Sequence, residues 1–484
     1  SQDLVYAQSC EDLDEILIGN GYMAQPTTPS YFSYGDKAFY YPYLHVMDDD
    51  IEEYLTGNAN ISSSINPVTT LRNFYIWAKE PFMRISGLTF RDYDWKRMYE
   101  HIGYLNVIIS YVKEFHEDSE EMRHRILGEA QFLRAGYYFM LVNLYANPYS
   151  KETADATMGV PLNLTEYIEE GYFSRDPVAA VYRQIVTDLE NAIVNLSGIK
   201  QPTIYRVNEK AARALLSRVY LYMQDWENAK STAEKLLAQN GALLDYSSIA
   251  ENTDGYAISE KSPELLFSQG PLNLQCEFSG SGGDFCVSND LYKLYDENDY
   301  RQTIYFTRST QSDSLGLNRK YQMGKHRSYV SDIFTLRTAE GYLNAAEACA
   351  MLGDAGAASG WLNRLRGKRI KDYEDVVYTA DEIIEQVRVE RRKELCLEGH
   401  RWLDLRRYAV CKKSPFKKII ERVYALYDWD GRSVFKYAEV YQLNVDDPAY
   451  VFAIPKAVLE FDKDMPDNIR EDREYVRLMY RNNE

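Results

Sequence analysis

The sequence predicts a mainly α-helical protein built from tetratricopeptide-like helix pairs, with irregular, loop-rich insertions between them. Apolar residues recur at helical spacing in three long segments, near residues 95–145, 175–240 and 331–407. Two of these segments repeat one helix–turn–helix pattern. No regular period occurs in the insertions, near residues 25–90, 241–330 and 408–484. We expect residues 1–484 to form a single domain.

Length, composition and charge exclude several classes of protein. A chain of 484 residues with 45% hydrophobic and 26% charged residues is typical of a globular protein with a large core. No run of eighteen apolar residues occurs, so the sequence predicts no transmembrane span. The net charge of −18 argues against nucleic acid or an anionic membrane surface as partner. The 42 tyrosines suit both half-buried packing and stacking on sugar rings, and their number does not decide between these uses.

The N-terminal region begins with a helix and continues irregularly. Residues 9–24 start with an acidic helical pattern that ends at Gly19-Asn-Gly, and the aromatic stretch at 31–43 has no clean period. Asp48-Asp-Asp50 offers carboxylates to a cation, but the twelve-residue spacing of a calcium loop is missing. We therefore expect these aspartates to form a solvated cap for a following helix, and we predict no metal site.

The helix pairs are the most regular part of the sequence. An amphipathic helix is predicted from Trp95 to Val112, and another from Arg125 to Tyr145. Helix pairs are then predicted over 209–238 and 336–366. A shift of 129 positions superposes Asp225 on Asp354 and Ala229 on Ala358, among others. This repeat predicts two tight turns, each followed by a small residue where the paired helices cross closely.

The most highly charged stretch is Arg388–Arg407, with seven basic and four acidic side chains in twenty positions. Its helical face carries charges as well as apolar groups, so the charges must be paired when that face is buried. Glu390, Glu394 and Glu398 lie four apart and would repel one another. We expect an ion network around them formed by Arg391, Arg401 and Arg406. Gly399 is predicted to cap the helix.

This charged stretch resembles the signature of the SusD/RagB family of nutrient-binding outer-membrane lipoproteins. The residues that carry the resemblance are Glu390-Arg-Arg-Lys-Glu-Leu and Glu398-Gly-His-Arg-Trp-Leu-Asp-Leu-Arg-Arg407. Further similarity lies in Gly128–Phe139, Arg337–Glu347 and Val451–Pro455, the last resembling the family's terminal strand. Residues 466–475 depart from the family pattern. The resemblance implies a SusD-like fold in which the charged cluster is structural and does not contact the ligand.

The resemblance also implies a location and a partner. A lipidated cysteine upstream of Ser1 would be the only attachment to the outer membrane, with the protein facing outside the cell. The protein would cap a SusC-like TonB-dependent barrel transporter and hand over a captured nutrient, usually a glycan. Cys10 follows no apolar stretch and is not expected to carry the lipid. In this family, the loop before the helix that starts near Trp95 contributes to the ligand site.

Binding an oligosaccharide requires aromatic faces for the sugar C–H groups and polar groups for the hydroxyls. A polar loop within residues 58–90 carries unusual aromatic residues, and a glycine-rich loop lies between Cys276 and Cys286. From these loops we predict the ligand-binding residues Asn73, Tyr75, Trp77, Phe82, Phe278, Asp284 and Phe285. Trp77 is the predicted platform, with Phe278, Asp284 and Phe285 on the opposing side. The alternative is that these aromatic residues belong to the core.

No motif for catalysis occurs in the sequence. There is no H-E-x-x-H, P-loop, G-x-S-x-G or Rossmann glycine pattern, and the six histidines and six cysteines show no ligand spacing. We therefore expect a binding protein with no catalytic residue and no cofactor. Alternatives are a SusD-like binder of peptide or another non-glycan nutrient, a glycan hydrolase, and a scaffold without a small ligand. Cys276 and Cys286 are either two free thiols or a disulfide that closes the glycine-rich loop.

Overall fold

The computed structural model describes residues 7–27, 32–53, 67–166, 174–278, 285–310, 314–323, 330–427 and 435–480. Within these ranges, no helix combines the length and apolar character that a membrane crossing requires. Helices dominate the described structure, which confirms the predicted mainly α class.

The helices follow one another along the whole chain. They are α1 (Cys10–Ile16), α2 (Pro67–Tyr75), α3 (Tyr93–Tyr111), α4 (Glu120–Tyr145), α5 (Val178–Asn195), α6 (Glu209–Tyr222), α7 (Trp226–Gln239), α8 (Ser247–Ala250), α9 (Leu274–Glu277), α10 (Asn289–Tyr292), α11 (Arg301–Tyr305), α12 (Thr338–Met351), α13 (Ala355–Arg366), α14 (Ala380–Leu395), α15 (Arg401–Ala409) and α16 (Lys456–Phe461). A π-helical turn, Leu17–Gly21, continues α1.

The strands are short and lie between the helical segments. They are β1 (Ile51–Glu53), β2 (Leu265–Ser268), β3 (Phe285–Val287), β4 (Phe306–Arg308), β5 (Leu315–Leu317), β6 (Thr335–Arg337), β7 (Ile420–Tyr427), β8 (Phe435–Leu443) and β9 (Arg477–Tyr480). They form antiparallel sheets in the orders β1-β3-β5-β4, β2-β6 and β7-β8-β9. In the first sheet Glu52 is paired with Cys286, so β1 lies beside the end of the glycine-rich loop.

The helical scaffold is a succession of packed neighbours. From α3 to α7 each helix packs on the next, α12 packs on α7, and α13 and α14 pack on α12. Helix α4 is buried along most of its length from Ile126 onward. At Gly128 an added Cβ would lie 2.6 Å from Leu196 Cγ, so only glycine allows the end of α5 to approach α4 this closely.

The two predicted helix pairs have matching turns. Asp225 caps α7 by accepting a hydrogen bond from Asn228 N–H, and Asp354 caps α13 by accepting one from Ala357 N–H. Immediately before these caps, Gln224 and Gly353 both have positive φ angles, 57° and 85°. Ala229 and Ala358, the small residues that the repeat aligns, are fully buried. The repeat at a shift of 129 positions is therefore confirmed.

The buried charge cluster exists, but its predicted partners were wrong. The Glu394 carboxylate, on α14, accepts hydrogen bonds from Arg337 at 2.6 Å and from Arg369 at 2.8 Å. A guanidinium nitrogen of Arg301 lies 3.2 Å from the same carboxylate. Glu390 is paired with Arg301 and Arg366, and Glu398 with Arg337 and Lys320. All of these cations come from other parts of the chain.

The three predicted partners bind elsewhere. Arg391 donates to Glu347, Arg401 donates to Asp49, and Arg406 donates to the backbone carbonyls of Asn143, Ala146 and Tyr450. Adjacent residues on a helix point in different directions, and accordingly Arg391 meets Glu347 whereas Glu390 meets Arg366. Gly399, with φ 80°, lies in the turn between α14 and α15, four residues after α14 ends.

Asp48, Asp49 and Asp50 are buried and precede a strand, so their prediction as a solvated helix cap was wrong. Arg401 and Lys418 donate to Asp49, and Arg392 donates to Asp50. Burial raises the pKa of Asp49, but Arg401, Arg392 and Lys418 together hold it well below its usual value. Asp49 and Asp50 are stable in the interior because they pair with cations of the C-terminal half of the chain.

Candidate functional site

A groove of about 1570 Å³ runs along α3. Its walls are α3 itself, the loop at residues 79–92, and the C-terminal segment at residues 452–470. We call it the α3 groove. Its volume exceeds that of a typical small-ligand pocket, and its length along a helix suits an extended ligand.

The loop at residues 79–92, which precedes α3, is held in place by aromatic packing. It folds back on itself, with hydrogen bonds from Phe90 N–H to Phe82 O and from Arg84 N–H to Leu88 O. The Phe82 ring lies 5.0 Å from Phe74, and rings of Tyr43, Phe90 and Phe452 surround it within 6.0 Å. This cluster joins the loop to the C-terminal segment and forms the apolar floor of the groove.

Two aspartates fix the start of α3. Asp92 caps the helix by accepting from Asp94 N–H and Trp95 N–H, and Tyr145 O–H donates to its other oxygen. Asp94 accepts from the hydroxyls of Tyr34 and Tyr43 at 2.9 and 3.0 Å. Burial and the neighbouring Asp94 raise the pKa of Asp92 to about 7. A titratable carboxyl group therefore lines the groove.

The C-terminal wall is held by an arginine and an amide. Arg470 donates to four backbone carbonyls, those of Ala78, Lys79, Ala449 and Val451. Asn468 Nδ2 donates to Tyr145 O and Phe452 O at 2.6 and 2.8 Å. Residues 451–455 form no strand, although they resemble a terminal strand, because Val451 O bonds Arg470 and Phe452 N–H bonds Leu144 O. These bonds fix the groove walls before any ligand binds.

The open face of α3 carries aromatic and polar residues. Met98, Ile102 and Leu105 face the core, whereas the groove is lined from the other side by a stripe at helical spacing. That stripe contains Lys96, Glu100, Gly103, Tyr104, Val107 and Tyr111. Across the groove, Phe461 and Ile469 are 75% and 85% exposed. Exposed apolar side chains of this size around a concave surface indicate a binding site.

The predicted platform lies in the interior. Trp77 is 2% exposed, its indole N–H donates to Met47 O at 2.9 Å, and the Arg422 guanidinium lies 4.9 Å from its ring centre. Tyr75 is equally buried, and its hydroxyl donates to Val423 O. The Phe285 ring lies 5.5 Å from Tyr75, so the structure brings two of the predicted residues together as core.

The other predicted site residues are divided. Phe82 lines the α3 groove, and Asn73 supports the same loop by donating from Nδ2 to Met83 O at 2.6 Å. Phe278 and Phe285 are buried outside the groove. Asp284 lies outside the described residues, as does the side chain of Cys276. Cys286 has a free, buried thiol that donates to Glu52 O, and burial raises its pKa.

Sequence reasoning missed the tyrosines of α3. Tyr99, Tyr104 and Tyr111 line the groove together with Tyr93 at the start of the helix. Tyr104 and Tyr111 lie seven positions apart, on the side of α3 opposite its apolar stripe. A second aromatic stripe on an amphipathic helix was the signal that could have found them.

Asp48, Asp49 and Asp50 form the one group of three described metal-ligating residues whose ligand atoms lie close together, within 4.8 Å. Arg401 and Lys418 pair with Asp49 at 2.8 and 2.6 Å, and Arg392 pairs with Asp50 at 2.7 Å. Protein cations thus balance the charges of Asp49 and Asp50, whereas burial and these two neighbouring carboxylates raise the pKa of Asp48 well above its usual value.

Comparisons with known proteins agree with this architecture. The family model described as starch-binding, associating with the outer membrane, matches residues 48–221, and the model of the SusD family matches residues 316–469. The SusD-like protein P25 of Formosa agariphila is 25% identical over 179 residues. That alignment spans 37% of this chain and 32% of the relative, so it covers about a third of the relative's length.

Solved structures cover nearly the whole chain. A proposed sugar-binding protein of Bacteroides vulgatus ATCC 8482 is similar with a TM-score of 0.73 and 25% identity, over 96% of this chain and 98% of that one. The surface glycan-binding protein A of Bacteroides uniformis has a TM-score of 0.67 and 18% identity, over 95% and 99% of the two chains. The fold, the charged signature of α14 and the two family models agree: the chain belongs to the SusD family.

Proposed function

We propose that this protein captures an oligosaccharide in the α3 groove and delivers it to a SusC-like TonB-dependent barrel in the outer membrane. The observation that carries the proposal is a large open groove with an aromatic stripe, exposed apolar side chains and fixed walls. A lipid upstream of residue 1 would hold the protein at the cell surface, facing outward. The descriptions of the matched family and of the glycan-binding relatives support this reading.

The groove supplies the two kinds of contact that sugars require. Tyr104, Tyr111 and Phe461 offer aromatic faces for sugar C–H groups. Asn163 and Thr165 line the groove beside them and offer polar groups to sugar hydroxyls. Because its walls are already hydrogen-bonded, the groove loses little conformational entropy when it binds an extended ligand.

Gly103 provides a separate argument for the groove. It lies inside α3, where glycine costs about 1 kcal/mol relative to alanine. A Cβ added there would meet none of the described atoms within 4 Å, so close packing does not require the glycine. We infer that the absence of a large side chain at Gly103 keeps the middle of the groove wide enough for a ligand to lie against the helix.

The predicted loop residues keep a role in this proposal. Phe82 would form part of the groove floor, and Asn73 would hold its loop in place. Tyr75, Trp77, Phe278 and Phe285 would contact a ligand only after local opening, and we propose that they support the site from the core. We further propose that the chain acts as one domain, since Arg470 bonds Lys79, 391 positions away.

The test is binding of the purified protein to a panel of soluble polysaccharides, followed by titration calorimetry and by assay for released sugars. We expect one glycan to bind without product formation. Tyr104→Ala and Tyr111→Ala should each weaken that binding, whereas Tyr475→Ala, an exposed tyrosine outside the groove, should not. Product release would indicate a hydrolase, and binding of peptides alone would indicate a non-glycan nutrient.

A further inference from the structure

The charges of the α3 groove are unevenly paired. Among the described residues that line it, seven carry carboxylates and five carry cationic groups. The carboxylates are Asp36, Glu80, Asp92, Glu100, Glu166, Glu460 and Asp467, and the cations are Lys79, Arg91, Lys96, Lys456 and Arg470. Which of these groups remain available to a ligand depends on the ion pairs that they already form.

Most of the cations are already occupied by the protein. Lys96 lies 3.1 Å from Asp36 and 3.5 Å from Glu100, and Lys456 lies 3.1 Å from Glu80. Lys79 Nζ lies 3.8 Å from a carboxylate oxygen of Asp472, a residue that does not line the groove. Arg470 is buried, and its hydrogen bonds within the described ranges all go to backbone carbonyls. In the described part of the chain, Arg91 is the single groove cation without a carboxylate or carbonyl partner.

Several carboxylates of the groove form no ion pair with a described residue. Glu166 and Glu460 both line the groove, and neither forms an ion pair with a described residue. Asp467 likewise forms no ion pair with the described part of the chain, although its Oδ1 accepts hydrogen bonds from Ile454 N–H and Asn468 N–H. Among the described residues of the groove, these three carboxylates without an ion pair therefore outnumber the free cations by three to one, and the whole chain carries a net charge of −18.

We propose that the α3 groove selects uncharged, hydroxyl-rich glycans and rejects polysaccharides that carry carboxylate or sulfate groups. This inference rests on the proposed function. Sugar hydroxyls can donate charge-assisted hydrogen bonds to Glu166, Glu460 and Asp467. An anionic sugar would be repelled by these carboxylates. Among the described groove cations, only Arg91 is free to receive it, because Lys96 and Lys456 already lie in solvent-exposed ion pairs.

The experiment uses chemically matched pairs of polysaccharides. Each neutral polymer of the panel is tested beside the same polymer oxidised at C6, where a primary hydroxyl becomes a carboxylate. We expect the full chain to bind a neutral polymer at least about tenfold more tightly than its oxidised form at about 50 mM salt. The difference should shrink at about 500 mM salt, because salt screens the repulsion. Equal or tighter binding of the oxidised form would overturn the inference.

Variants locate the source of the selectivity. Glu166→Gln combined with Glu460→Gln should reduce the difference between the two polymers several-fold, while Glu374→Gln, an exposed glutamate outside the groove, should leave it unchanged. An unchanged difference in the double variant would overturn the assignment to these carboxylates. Binding of neither polymer in any pair would overturn the proposed function itself, which separates the two failures.

Discussion

Asp92 lines the α3 groove, and protonation of its carboxyl group affects the stability of the fold. It caps α3, lies beside Asp94, and accepts a hydrogen bond from the Tyr145 hydroxyl. Its pKa is about 7 in the folded protein, above the ordinary value of 3.8 that applies when the chain is unfolded. Between these two values the folded state binds more protons than the unfolded state, so this group's contribution to stability falls as pH rises through that window.

Asp92→Asn should remove this pH dependence. Asparagine keeps an oxygen for the helix cap and has no charge to lose. We expect the free energy of unfolding of the parent protein to fall relative to the variant between pH 5 and pH 8, measured by urea denaturation at both values. Parallel changes in the two proteins would show that Asp92 does not titrate in this range.

Glu394 is the centre of the buried charge cluster. It is inaccessible to solvent and lies against Arg301, Arg337 and Arg369. Glu394→Gln keeps the shape but leaves buried guanidinium groups without their counter-charge. We expect a loss of about 3–5 kcal/mol in the free energy of unfolding.

The matched control for this substitution is a surface ion pair. Glu421 and Arg477 lie 2.8 Å apart with about half of each side chain exposed, so Glu421→Gln should cost less than about 1 kcal/mol. Similar costs for the two substitutions in urea denaturation would contradict a structural role for the buried cluster.

At the residue scale, the sequence predicted that charges would be buried but not which groups would meet. The density of charge in Arg388–Arg407 was sufficient to infer a network. Its partners were beyond local reasoning because Arg301 lies 93 positions before Glu394 and Arg337 lies 57 positions before it. Trp77 shows the same limit, since Met47 and Arg422 decide its burial.

At the scale of elements, helix pairs are specified by short local signals. The aspartate caps and the alanines that follow them recur at a shift of 129 positions, and both turns form as predicted. Where a segment depends on distant partners, the prediction was wrong. Asp48–Asp50 precede a strand because β1 pairs with β3, more than two hundred positions later in the chain.

The turn between α12 and α13 gives a test of this local control. Gly353 has a φ of 85°, which a residue with a Cβ adopts at a cost, so Gly353→Ala should lower the free energy of unfolding by about 1 kcal/mol. Gly360 lies in an open position inside α13 with an ordinary helical conformation. Gly360→Ala should therefore raise stability by up to about 1 kcal/mol, and changes of the same sign in urea denaturation would contradict the account.

At the scale of the whole molecule, the groove arises from segments at opposite ends of the chain. Helix α3 and the loop before it form one side, and residues 452–470 form the other. The sequence and its family resemblance predicted a mainly α fold and placed a ligand site near this loop. They did not predict the groove, because Arg470 joins its walls across 391 positions. The aromatic stripe of α3 is visible in the sequence, but only the tertiary structure shows that the groove lies over it.

The most direct test of the central claim is to fill the groove at Gly103. Gly103→Trp should place an indole among Tyr104, Val107 and the opposite wall, whereas Gly103→Ala adds one methyl group in open space. Both proteins should fold, and alanine should stabilise α3 by about 1 kcal/mol. Titration calorimetry with the polysaccharide that the parent binds should show affinity retained in Gly103→Ala and lost by at least about tenfold in Gly103→Trp. Undiminished binding by a folded Gly103→Trp protein would contradict the α3 groove as the ligand site.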